Sequence, residues 1–142
     1  ACCTALKPLD GNVLVVLAAA VSDFYVPNLC EHKIQSRSGG GLSLDLAPVP
    51  KCLGYVKRWG SPQFCVCGFK LETDEQLLKK KAMASLANYG LDCVVANMLA
   101  TYRERATVYT ASEGVVVAGD DVDARLAEEL MRVHAVGARG VS

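Results

Sequence analysis

The chain alternates between unbroken apolar runs and stretches where apolar residues recur at helical spacing. Val13 to Leu17 (VLVVL) is a run of valine and leucine with no polar break. It predicts a strand covered on both faces, as in a parallel sheet. Gln63 to Phe69 and Asp92 to Ala96 predict two more buried strands. Between them, Leu78, Ala82, Leu86 and Tyr89 share one helical face, and the pattern stops at Gly90. Thr73-Asp74-Glu75-Gln76 opens that helix as a capping box, with the Thr73 hydroxyl at the cap.

Leu42-Ser43-Leu44-Asp45-Leu46 alternates strictly and predicts a half-exposed strand. Pro48 and Pro50 lead into a helical stretch to about Gly60. Thr107 to Thr110 and Val115 to Ala118, joined by Ala111 to Gly114, predict a hairpin. Asp120 and Asp121 open a last helix from Val122 to about His134. Ser22 to Gly41, rich in polar residues and ending near a Gly-Gly-Gly run, reads as one long functional or mobile loop. The resulting order is that of an α/β domain with a mostly parallel sheet and right-handed crossovers.

Charge changes this picture only by exclusion. Fifteen basic residues balance fifteen acidic ones among 142. That balance gives no long-range attraction to nucleic acid or to an anionic membrane. The longest apolar run, Val13 to Val21, is too short to span a bilayer, and no secretory leader is evident. A soluble, cytoplasmic protein is expected. Seven cysteines lack paired CxxC spacing, so they read as small buried hydrophobes in a reducing compartment rather than as a zinc site.

Candidate chemistry lies at the predicted strand ends, where open parallel sheets bind ligands. The first strand leads to Ser22-Asp23, the second ends in Lys70 followed by Glu72 and Thr73, and the third ends in Asn97. A carboxylate, an ammonium, an amide and a helix N-terminus in one neighbourhood suit an anionic small molecule. Each also has a plain structural reading. Asp23 suits a turn, Lys70 a solvated strand end and Asn97 a loop-bonding amide, while Lys79 to Lys81 suit a solvated helix face. No GxGxxG, GxxxxGK[ST], HExxH or GxSxG is present.

Five blocks in fixed order carry more: AAAVSDFYVP (residues 18–27), EHKIQS (31–36), VPK (49–51), FKLETD (69–74) and VVAN (94–97). Together they resemble the phosphopantothenoylcysteine synthetase family in its eukaryotic form, from about Val13 to Thr110. The resemblance implies a Rossmann-like, three-layer fold with a flap at about residues 24–47 and a C-terminal hairpin. It implies an amide-forming ligase of coenzyme A biosynthesis, joining phosphopantothenate to cysteine through an acyl-nucleotide. ATP is favoured over CTP, Mg²⁺ accompanies the nucleotide, and a homodimer is expected.

Carried over by position, Ala18, Ala19 and Ala20 form the strand end against which the nucleotide lies, and Asp23 is the family's aspartate at that site. Lys33 corresponds to the family lysine at the triphosphate and is the catalytic candidate. Lys51 follows the flap, Phe69 is the ring expected against base or ribose, and Lys70 is a second phosphate candidate. Lys80 and Lys81 are further nucleotide candidates on the helix. Asn97 is expected to shape the substrate site.

No metal site is implied. Ala1 to Asn12 do not match the family's preceding section. The chain therefore reads as one α/β domain, the C-terminal portion of a larger synthetase, weakly active alone and needing an N-terminal portion. Two readings of other classes stand beside this one: a non-catalytic nucleotide-binding or dimerisation module, and a flavoprotein decarboxylase-like protein.

Overall fold

The computed structural model describes residues 5–9, 12–32, 34 and 41–139. Two compact units emerge: one from the described residues up to Ala18 together with those from Cys52 onward, and one from Ala19 to Lys51.

In the larger unit, β1 (Leu14–Leu17), β4 (Cys65–Glu72), β5 (Cys93–Met98), β6 (Arg105–Tyr109) and β7 (Gly114–Ala118) form one sheet in the order β1-β4-β5-β6-β7. The pairs β1–β4 and β4–β5 are parallel. The pairs β5–β6 and β6–β7 are antiparallel, because residues 99–104 and 110–113 are connections too short for a crossover. A single turn of helix, α1 (Val56–Trp59), precedes β4; α2 (Glu75–Tyr89) links β4 to β5, and α3 (Val122–Arg139) ends the described chain.

Sheet register divides the core in two. On one face Cys65, Cys67, Cys93, Val95, Ala106, Val108 and Val117 pack with Val122, Leu130 and Val133 of α3. On the other, Val66, Val94 and Ala96 pack with Leu78, Ala82 and Leu86 of α2. The unit is therefore a three-layer α/β fold with a mixed, centrally parallel sheet. Val94, Val95 and Val108 are fully buried, each contributing about 1.5–3 kcal/mol by leaving water.

The ends of α2 show how local chemistry sets boundaries. Asp74, rather than Thr73, is the cap: its carboxylate accepts from the Gln76 and Leu77 N–H groups. Both residue types cap well, and the helix phase places Asp74 one position nearer the free donors. At the other end Gly90 takes φ 62°, and its N–H returns to the Leu86 carbonyl. That left-handed conformation favours glycine.

Several sequence expectations shift. The second and third strands run on to Glu72 and Met98, so Lys70 and Asn97 lie within strands rather than beyond them. The helix after Pro50 reduces to a 3₁₀ turn, Leu53–Tyr55, followed by α1. The expected strand Leu42 to Leu46 is irregular. Leu42, Leu44 and Leu46 stay 63%, 56% and 47% exposed, so their alternation finds no buried face among the described residues. The hairpin and the last helix form as expected, and α3 extends to Arg139.

In the smaller unit, β2 (Phe24–Tyr25) pairs antiparallel with β3 (Ala47–Pro48). The Val49 N–H donates to the Asp23 carbonyl at 3.0 Å. These contacts form a neck between the two strands.

Asp92 joins three parts of the larger unit. Its carboxylate accepts the Val66 N–H at 2.7 Å and lies 2.8 Å from the Lys57 ammonium of α1. Asp92→Ala leaves a half-buried donor and cation unpaired, and should lower stability by about 2 kcal/mol, read by urea unfolding. Burial first, then the Asp92 carboxylate, push the Cys65 thiol up from 9.0 to about 12. The hydrogen bond to Cys67, then burial, push the Cys93 thiol up as well. Thiols whose folded pKa exceeds the unfolded value stabilise fully below about pH 9 and lose that contribution as pH rises toward 12. Denaturation midpoints should therefore fall steadily above about pH 9, and Cys65→Ala should flatten part of that slope.

Candidate functional site

The strand ends bring some of the expected residues together and separate others. Register partners in a parallel pair share a face. Phe69 lies beside Val95 and Asn97 beside Leu71, on the α3 face. Lys70 lies beside Ala96 and Glu72 beside Met98, on the α2 face. The expectation that Lys70 and Asn97 converge is therefore corrected: one residue's difference in strand parity turns them to opposite faces.

On the α3 face, Phe69 is half-buried against the core. The Asn97 Oδ1 is buried and has no hydrogen-bond partner among the described residues. A buried carbonyl without a donor costs roughly 1–3 kcal/mol, so such groups tend to be reserved for a ligand or a water. An aromatic ring and an unpaired amide at the end of one sheet face can hold a flat, hydrogen-bonding group.

On the α2 face, Glu72 is anchored twice. Its carbonyl accepts the Leu99 N–H at 2.9 Å, and its carboxylate pairs with the Lys81 ammonium at 2.8 Å. That pair is the feature missed in reading the sequence. The cue was present, since a lysine side chain leans toward its helix N-terminus and can reach back to the preceding strand end. Lys80, one position away, is exposed.

The remaining candidates belong near or within the smaller unit. Ala18, Ala19 and Ala20 are exposed just beyond β1. Asp23 and Lys51, expected to meet a nucleotide separately, form an ion pair with each other beside the β2–β3 neck. Lys33 lies outside the described residues. Among the described residues, no group of three or more His, Cys, Asp or Glu is placed to hold a metal ion.

Comparison with known proteins gives a consistent picture. Residues 3–135 match the model of the DNA/pantothenate metabolism flavoprotein C-terminal domain. Phosphopantothenate–cysteine ligase 2 of Oryza sativa subsp. japonica is 43% identical over 138 residues, covering 92% of this chain and 42% of that protein. Phosphopantothenate–cysteine ligase of Homo sapiens is 38% identical over 141 residues, covering 92% of this chain and 45% of its own length. A Cab2 mutant solved in complex with phosphopantothenate-cysteine matches with a TM-score of 0.82 at 31% identity, over 95% of this chain and 50% of that one. The chain thus spans less than half the length of these curated relatives.

Removing the orphaned oxygen should relieve the unbound fold. Asn97→Leu is expected to leave stability unchanged or raise it by about 1 kcal/mol, measured by chemical denaturation, while removing ligand affinity at that face.

Proposed function

Because the chain belongs to the DNA/pantothenate metabolism flavoprotein C-terminal domain family, we propose that it is the nucleotide-handling part of a ligase that joins phosphopantothenate to cysteine. The observation that carries this reading is the fit to the Cab2 complex, which extends over nearly the whole chain at a TM-score of 0.82.

The chemistry divides into two displacements. A phosphopantothenate carboxylate oxygen attacks the nucleotide's α-phosphorus, an O–P bond forms, and pyrophosphate leaves. The cysteine nitrogen then attacks the activated carbonyl carbon, a C–N bond forms, and the nucleoside monophosphate leaves as the amine gives up a proton. Neither step needs a protein nucleophile. Positioning and charge compensation at the phosphates supply most of the acceleration in such reactions.

The roles of individual residues are those that the family resemblance implies. Phe69 packs against the base or ribose, and the Asn97 oxygen accepts a hydrogen bond from the ligand. Lys33 offsets charge on the phosphates. Asp23 and Lys51 exchange their mutual contact for ligand groups at the flap neck. ATP is the favoured nucleotide, with CTP as the alternative outcome. Magnesium would accompany the nucleotide's phosphates and offset their negative charge. Ala18, Ala19 and Ala20 supply a small-residue shelf beside the nucleotide. The working enzyme is a cytoplasmic homodimer, completed by portions of the ligase beyond the part that this chain matches.

The test is pyrophosphate release from phosphopantothenate, cysteine and either ATP or CTP, with the complementary portion of the ligase supplied. Lys33→Ala should slow acyl-nucleotide formation by about a hundredfold or more with little change in melting temperature. Asp23→Ala should chiefly raise the nucleotide KM. Nucleotide binding with no turnover in the completed protein would instead identify a non-catalytic module.

A further inference from the structure

Helix cover on the sheet is uneven, and the connections explain why. The link from β4 to β5 is long enough to hold α2, which packs over those two strands. The hairpin strands β6 and β7 take their cover from α3, on the opposite face. Arg105, Thr107 and Tyr109 of β6 lie on the α2 face with Val116 of β7. The helix stops short of this edge, and Val116 stays 51% exposed. A cavity of about 610 Å³ therefore opens between α2 and the β6–β7 hairpin, wholly within the larger unit. That volume falls in the range usual for small-molecule sites.

Its walls are largely apolar. Met83 and Met98 are half-buried there, and methionine adapts to varied shapes. The Tyr109 ring lies against Gly114, where an added side-chain carbon would fall 2.7 Å from it. Glycine at that position leaves the ring room over β7. Two cations stand at the end where β6 begins. Lys79 comes from the second turn of α2, and Arg105 is the first residue of β6. Neither forms an ion pair among the described residues. Glu75 lines the same end, so two cations against one carboxylate leave a surplus positive charge. The other lining carboxylate, Glu113, sits beyond the far end of β6 and is bonded to Arg132 at 2.7 Å.

We propose that this groove is a second binding site, for an alkyl carboxylate, with the carboxylate between Arg105 and Lys79 and the chain running along β6 toward Tyr109. From Arg105 to Tyr109 the strand covers about 13 Å, so the ligand is elongated rather than compact. A guanidinium and an ammonium can each donate to one carboxylate, and its single charge matches the surplus. The two methionines, Tyr109 and Val116 give the chain an apolar bed. This site does not depend on the nucleotide-handling reading. Lys81, which meets Glu72 at the end of β4, is turned away from the hairpin side that Lys79 lines.

The experiment is NMR titration of the 142-residue chain with octanoate, octanol and acetate, alongside thermal melting. Octanoate should saturate, with shifts concentrated at residues 105–109 and 114–116. It should bind about tenfold tighter than octanol, which lacks the charge, or acetate, which lacks the chain. Arg105→Gln and Lys79→Gln should each weaken octanoate about five- to tenfold and leave octanol unchanged. Val116→Trp should fill the groove and abolish binding of both, with a melting temperature near that of the parent, since Val116 is exposed. Met131→Trp, at an exposed position of α3, should change nothing. ATP should not displace octanoate. Shifts confined to the smaller unit, equal affinity for octanol and octanoate, parent-like affinity in both cation variants, or displacement by ATP each overturns the proposal. All four results leave the ligase reading to its own test.

Discussion

Parallel pairing of β4 with β5, in the register that sets Cys67 beside Cys93 and Glu72 beside Met98, organises the larger unit. That register decides which residues lie under α2 and which under α3. It also decides what each face presents where the strands end. Shifting it by one residue would turn every buried valine and cysteine outward and invert the site with the core. Asp92 supports it at the start of β5 by taking the Val66 N–H, and the Leu99–Glu72 hydrogen bond supports it at the end.

The two faces carry different chemistry in consequence. The α3 face offers Phe69 and the unpaired Asn97 oxygen, which suit a flat polar group. The α2 face offers the Lys70 ammonium and the Glu72–Lys81 ion pair, a set with net positive charge. A ligand that straddles the strand ends can meet both kinds of surface without either face carrying both. Open α/β sheets commonly bind in this way, with specificity read on one side and charge compensated on another.

Much of this was legible in the sequence, and the limits have physical causes. Val13 to Leu17 and Asp92 to Ala96 were readable as strands because unbroken β-branched runs have few other stable uses, but the first is not covered on both faces: β1 is an edge strand, and Val16 and Leu17 are 43% and 37% exposed. The α2 boundaries were readable from Gly90 and the acidic cap region, although choosing Asp74 over Thr73 requires the helix phase. The five sequence blocks were sufficient to identify the family. Side-chain parity at the strand ends was not readable, since it depends on register, and Lys70 and Asn97, expected in one neighbourhood, face opposite sides of the sheet. The alternation of Leu42 to Leu46 specified two faces but not a partner, and alternation alone does not make a strand. The Glu72–Lys81 pair joins a strand to a helix across a turn, and charge runs read along a chain do not reveal such returns.

The neck formed by Phe24–Tyr25 and Ala47–Pro48, with Asp23 and Lys51 just outside it, has a consequence for how this segment can change over time. Once both ends of a loop are pinned, the entropy of closing it grows only with the logarithm of its length, about 0.6 kcal/mol for each doubling. Residues between the pinned ends are therefore free to be lengthened, shortened or recomposed at little thermodynamic penalty. The neck itself tolerates far less, because only two residue pairs hold its antiparallel strands together.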